Sequence, residues 1–175
     1  ATLKAPAGST SVTPLTTIVS EIMTADTSVT AAEAVAKVQT AFGLSANDDI
    51  LTLDPIASNN AAVAKAGVQV ASLIEGAGGG SAGTAVTQAL ADSVKVSTGV
   101  VNVADATVLQ SLIETAQAAN PALTDLTAVD AGSVAAAAAA KNAVVASATS
   151  LSDIRAAEGA TFTVTEANGV IGYGG

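Results

Sequence analysis

The chain has 175 residues and a mass of 16.7 kDa; roughly a quarter is Ala, half is hydrophobic, and only 2% is aromatic. Fifteen acids against six bases give a formal net charge of −9, and the sequence contains no His, Cys or Trp. Those absences exclude thiol nucleophiles, disulfides, imidazole acid–base catalysis and His/Cys metal sites, leaving carboxylates, amines, hydroxyls and amides to carry any chemistry.

Residues 1–12 contain Pro6, Gly8 and several hydroxyls and are expected to be a linker. Thr13-Pro14 opens the first helix, Thr as N-cap and Pro at the first helical position. Leu15, Ile18, Val19, Ile22 and Met23 then recur at helical spacing. Thr30 starts the second helix, with Glu33 three residues later as a capping box. Its apolar stripe is Val35, Val38 and Phe42, and Gly43 stands at the C-terminal cap. The segment from Ser45 to Leu53 is a loop ending in Asp54-Pro55, a second cap and first-turn pair. The third helix runs from Pro55 to about Glu75, with Ile56, Val63, Val70, Leu73 and Ile74 close to a seven-residue repeat. Ala66 and Gly67 would admit a near neighbour on that helix.

The glycine-rich run from Gly76 to Gly83 is expected to be a flexible connection that cannot hold helix. A fourth helix follows from Thr84 to Val96, carrying Val86, Leu90 and Val94, and Gly99 breaks it. Asp105 caps a fifth, with Val108, Leu109, Leu112 and Ile113, until Asn120-Pro121 stops it. Thr127 or Asp130 starts the sixth, which runs through Ala135–Ala140 to about Ala148 on the strength of alanine's helix propensity. A short turn covers Leu151 to Glu158. Beyond it Thr alternates with apolar residues, and Asn168-Gly169 signals a hairpin. The expected fold class is therefore all-α. It is an antiparallel bundle of about six short helices over residues 13–158, with a short β-forming C-terminal tail at 159–175 that begins a β-module.

A mean hydropathy of +0.54 is too high for a disordered chain, so an aliphatic core is expected. Lys4, Lys37, Lys65, Lys95, Lys141 and Arg155 are scattered singly, which argues against nucleic acid and against an anionic membrane surface. No apolar run approaches the ~20 residues of a spanning helix; the longest, Val134 to Ala140, is closed by Lys141. The chain begins with Ala and without a signal peptide, so it is expected to be a processed product or a piece of something longer.

Four features are candidates for chemistry. Asn47, Asp48, Asp49 and Asp54 gather oxygen ligands in one loop, as calcium requires, although the central Gly and twelfth-position Glu of an EF-hand are missing. The competing assignment makes Asp54 a helix cap and leaves Asn47 to Asp49 to solvate a turn. The glycines at 76–83 lack the following Lys of a phosphate loop, since Thr84 and Ala85 come next. Glu21, Glu33, Glu75 and Glu114 could pair as glycosidase carboxylates. Only Phe42, Phe162 and Tyr173 could stack on a sugar, however, and each Glu fits an exposed face or a helix terminus. The Ala/Thr texture suggests an ice-binding face, but Thr does not recur at a constant interval. Close packing of small residues accounts for the same composition. No cofactor is implied beyond calcium.

The stretches STSVTPLTTIVSEIM and TAAEAVAKVQTAFGLSANDDILTLDPIA resemble a helical segment found in very large secreted bacterial surface proteins. These are the giant type I-secreted adhesins and related cell-surface proteins of marine bacteria and cyanobacteria. The resemblance rests on Val12-Thr13-Pro14-Leu15-Thr16-Thr17, the Ala-rich run around Glu33, Phe42-Gly43-Leu44 and Asp54-Pro55; it extends to about Glu75 and continues only as texture. It implies an extracellular or cell-surface location and architecture rather than catalysis. The nonapeptide calcium repeats of parts of that class are absent. The expected function is a non-catalytic structural or interaction module, a spacer or adhesive unit. Its partners would be other modules of the same long chain, other copies of it, or a surface or glycan target. The alternatives are a small-ligand-binding helical module and an ice-binding protein.

Overall fold

The computed structural model describes residues 2–159, 162–166 and 169–173, with side chains described as far as Ala157. The body is all-helical. Among the described residues there are eight helices: α1 (Pro14–Ala25), α2 (Ala31–Ala41), α3 (Ala61–Gly76), α4 (Gly80–Val96), α5 (Ala106–Ala119), α6 (Thr124–Thr127), α7 (Ala131–Ala146) and α8 (Leu151–Gly159). Two strands follow, β1 (Phe162–Glu166) and β2 (Gly169–Tyr173), paired antiparallel with Phe162 opposite Tyr173. Asn168, expected at the hairpin turn, lies outside the described residues.

The helix starts are set by short polar side chains that satisfy orphan backbone donors. Thr13 and Thr16 form a reciprocal capping box on α1, and Thr30 and Glu33 form another on α2. The Asp105 carboxylate accepts from the N–H groups of Thr107 and Val108, and the Asp130 carboxylate from that of Ser133. At the end of α2, Gly43 takes φ +65°. The Leu44 N–H donates to the Gln39 carbonyl and the Gly43 N–H to that of Thr40, the paired bonds of a Schellman stop.

Four expectations need correction. The Asp54-Pro55 turn does not run into α3: Asn59 takes φ +56°, and Asn60 caps a new start at Ala61, its side-chain oxygen accepting from the Val63 N–H. Asn tolerates the left-handed region and is a strong N-cap, so the chain breaks there, leaving Ile56 52% exposed instead of in the core stripe. The glycine run is no flexible link. Gly78 and Gly79, at φ +106° and +64°, close a tight turn after α3, and α4 already starts at Gly80, with the Gly83 N–H donating to the Gly79 carbonyl. The segment from Leu151 to Glu158 is helix α8: the Ser150 hydroxyl accepts from the Asp153 N–H, and the Asp153 carboxylate accepts from Thr149. The presumed linker is docked, since the Lys4 N–H donates to the Thr17 hydroxyl and the Thr16 hydroxyl donates to the Lys4 carbonyl.

One main core runs through α1 to α7, filled by aliphatic side chains such as Leu15, Ile18, Ile22, Leu73, Leu90 and Ile113, all buried. The Ala-rich helix α7 packs most extensively on α3 and α5. Its small side chains let those axes approach, and Asn142 within it is fully buried. The Asn142 amide donates to the Val103 carbonyl at 2.7 Å and to the Gln69 carbonyl at 3.1 Å, and the Gln69 amide donates back to the Asn142 carbonyl at 3.0 Å. Three segments far apart in sequence are joined by that one amide. Helix α8 is seated apart from the main core, on a small cluster of Ala64, Ala148 and Ile154.

Candidate functional site

In the acidic loop each carboxylate is engaged in local hydrogen bonds. Asp48 accepts from the Ser45 N–H and from the Asn60 amide; Asp49 accepts from the Leu51 N–H and the Thr52 hydroxyl; Asp54 accepts from the N–H groups of Ile56 and Ala57. Asn47 donates its backbone N–H to the Ser45 hydroxyl. Each carboxylate thus closes its own turn. Among the described residues, no three of the acids come together as a group able to hold a metal ion.

The four glutamates are likewise separate in role. Glu33 belongs to the α2 cap, Glu114 accepts from the Gln110 side-chain amide, and Glu75 is exposed. Glu21 departs from its expected exposed position. It is buried on α1, where the Lys4 ammonium meets it at 2.8 Å. A buried carboxylate needs a partner, and here the partner comes from the N-terminal segment that crosses α1. A cleft of about 240 Å³ opens beside Glu21, Thr24, Gln88 and Asp92.

One concavity is largely apolar. A groove of about 360 Å³ lies between the N-terminal end of α1, the outer face of α3, helix α8 and the Pro55–Ile56 turn. Its floor is α3, where Ala64, Gly67 and Ala71 share one face. A Cβ at Gly67 would meet nothing within 4 Å, so the close neighbour expected for Ala66 and Gly67 is present only at buried Ala66. Leu151 and Ile154 of α8 form one wall and Ile56 part of another. Thr13 and Arg155 bring the polar side chains, and the Thr13 hydroxyl is already occupied by the Thr16 N–H.

Sequence reasoning missed this groove because its walls come from three separated segments. The available signals were a glycine inside an otherwise regular helix and an S-x-x-D spacing at Ser150 to Asp153 that announces α8.

Among the described residues, no helix is long and apolar enough to cross a membrane. Comparison of the chain with known protein families, with curated proteins and with solved structures returns no match.

Proposed function

We propose that the chain is a non-catalytic structural and interaction module of an extracellular bacterial surface or matrix protein, acting as a spacer or adhesive unit. In this reading the short connections fold the helices back on one another as an antiparallel bundle. The C-terminal hairpin begins a β-module, and the partners are other modules of the same chain or other copies of it.

The observation that supports this reading best is the use of the polar side chains. Thr13, Thr30, Asn60, Asp105 and Asp130 cap helices, and Asp48, Asp49 and Asp54 close turns. Glu21 is tied to Lys4. No nucleophile with a base beside it emerges from the described residues as a catalytic arrangement would require. A surface of −9 net charge suits a unit that must stay soluble at high local density. The resemblance of the segment up to Glu75 to helical segments of giant surface proteins points the same way.

The test is the size and place of the native polypeptide, read with an antibody against this segment on fractionated cells and medium. A very large species at the surface or in the medium supports the proposal. A free species near 16.7 kDa inside the cell overturns it.

A further inference from the structure

We propose that the groove between α1, α3 and α8 binds a free aliphatic carboxylate, its chain lying along Gly67 and its carboxylate on Arg155. The inference is independent of the module proposal above, since it rests on the groove alone.

The shape carries the first part. Ala64, Gly67 and Ala71 follow one face of α3, and the missing side chain at Gly67 leaves open space where a core helix would be filled. The recess of about 360 Å³ falls in the size range of small-molecule sites. Leu15, Val63, Val68, Leu151 and Ile154 line it with branched aliphatic groups, and no aromatic ring does so among the described side chains. A wall without rings offers no stacking platform for a base or sugar, whereas a flexible alkyl chain gains dispersion contact along it. Ile56, held outward by the Asp54 turn, extends the apolar surface at one edge.

Charge carries the second part. Arg155 is the chain's one arginine, and it lines a groove to which no carboxylate contributes among the described side chains. Its guanidinium is always cationic and presents a planar fork matched to two carboxylate oxygens. A single cation beside an apolar trough, in a protein that is otherwise strongly acidic, selects a ligand with one negative charge at the end of an apolar chain. A dianionic phosphate would be left half-neutralised there.

The probe is sodium decanoate below its micelle concentration, titrated into the full chain by calorimetry, with decan-1-ol as the uncharged control. We expect saturable binding at one site. Gly67→Leu should abolish it by filling the trough; because leucine is a better helix former than glycine, the far-ultraviolet circular dichroism of this variant should remain that of the parent. Arg155→Gln should weaken decanoate about tenfold, the worth of one charge-assisted contact, and leave decan-1-ol unchanged. The proposal is overturned if decanoate does not bind, if Gly67→Leu binds it as the parent does, or if Arg155→Gln affects acid and alcohol alike. Binding confined to anionic phosphatidylglycerol vesicles also overturns it, in favour of a lipid surface.

Discussion

Replacing Asn142 by Leu tests how much one buried amide contributes to the helical body. Leucine keeps the branched four-atom skeleton of the asparagine side chain, so no cavity is left; its bulkier methyl groups add some overpacking to the loss of the hydrogen bonds. Two carbonyls lose their donor, those of Val103 at 2.7 Å and Gln69 at 3.1 Å. Val103 is 3% exposed, so its carbonyl cannot turn to water, and an unmet buried acceptor costs about 1–3 kcal/mol. The half-buried Gln69 carbonyl adds about 0.5–1 kcal/mol. Leucine offsets part of this by removing the desolvated amide, whose Oδ1 has no partner among the described residues. The net loss should be about 2 kcal/mol. With a urea m-value of about 2 kcal/mol/M for a chain of this size, the midpoint followed by circular dichroism should fall by about 1 M, with m unchanged. Asn142→Asp should be worse at neutral pH, because it aims a carboxylate at two carbonyl oxygens. Its deficit should shrink in acid as the buried group takes up a proton on folding. A midpoint for Asn142→Leu within about 0.2 M of the parent would refute the reasoning and reduce Asn142 to a space-filler.

Three further outcomes follow from the caps, the glycine turn and two aspartates. Thr30→Ala removes the hydroxyl that accepts from the Glu33 N–H and should cost about 1 kcal/mol in denaturant titration. Gly78→Ala, at φ +106°, should cost about 1–2 kcal/mol because a Cβ strains the left-handed backbone; Gly67→Ala, in open helical space, should stabilise by about 0.5–1 kcal/mol. Asp26 is held below the ordinary carboxylate value of 3.8 by the Ser28 hydroxyl and N–H, with Lys95 adding to the effect. Asp153 is held below it by the Thr149 N–H and hydroxyl. Both release protons more readily when folded, so their stabilisation is complete above the unfolded value and is lost as pH falls through the lowered native ones. Thermal melts between pH 5 and pH 2 should show the decline, and Asp26→Asn with Asp153→Asn should flatten it.

The parts of the fold that were legible in the sequence are those decided within one helical turn. Thr13, Thr30, Asp105 and Asp130 announce helix starts because a capping side chain bonds donors two or three residues on. Gly43 announces a stop for an equally local reason. Local signals also misled. The glycine composition of 76–83 suggested a slack connection, yet three left-handed glycines in sequence are what a tight reversal needs, and the remainder wind into α4. Asp54-Pro55 has the form of a helix start, but Asn59 and Asn60 supply a better one six residues later. What composition could not disclose is the set of contacts made across the chain. Glu21 is buried because Lys4 reaches it, and Asn142 is buried because Val103 and a residue of α3 receive its protons. The groove has the same origin, since Ile56, Gly67 and Arg155 become neighbours only when α8 docks.

Helix α8 is seated through its Ile154 on a small buried cluster with Ala64 and Ala148, while α1 to α7 share one continuous core. Protection of amide hydrogens against exchange should therefore fall into two tiers, with α8 opening as a separate cooperative unit well below the free energy of global unfolding. The protein would then lose its C-terminal helix, and with it one wall and the cation of the groove, while the remaining helices stay closed. Occupancy of the groove and closure of α8 become a single linked equilibrium. Any ligand held between α3 and α8 would appear first as slowed exchange in α8, long before it raised the melting temperature of the body.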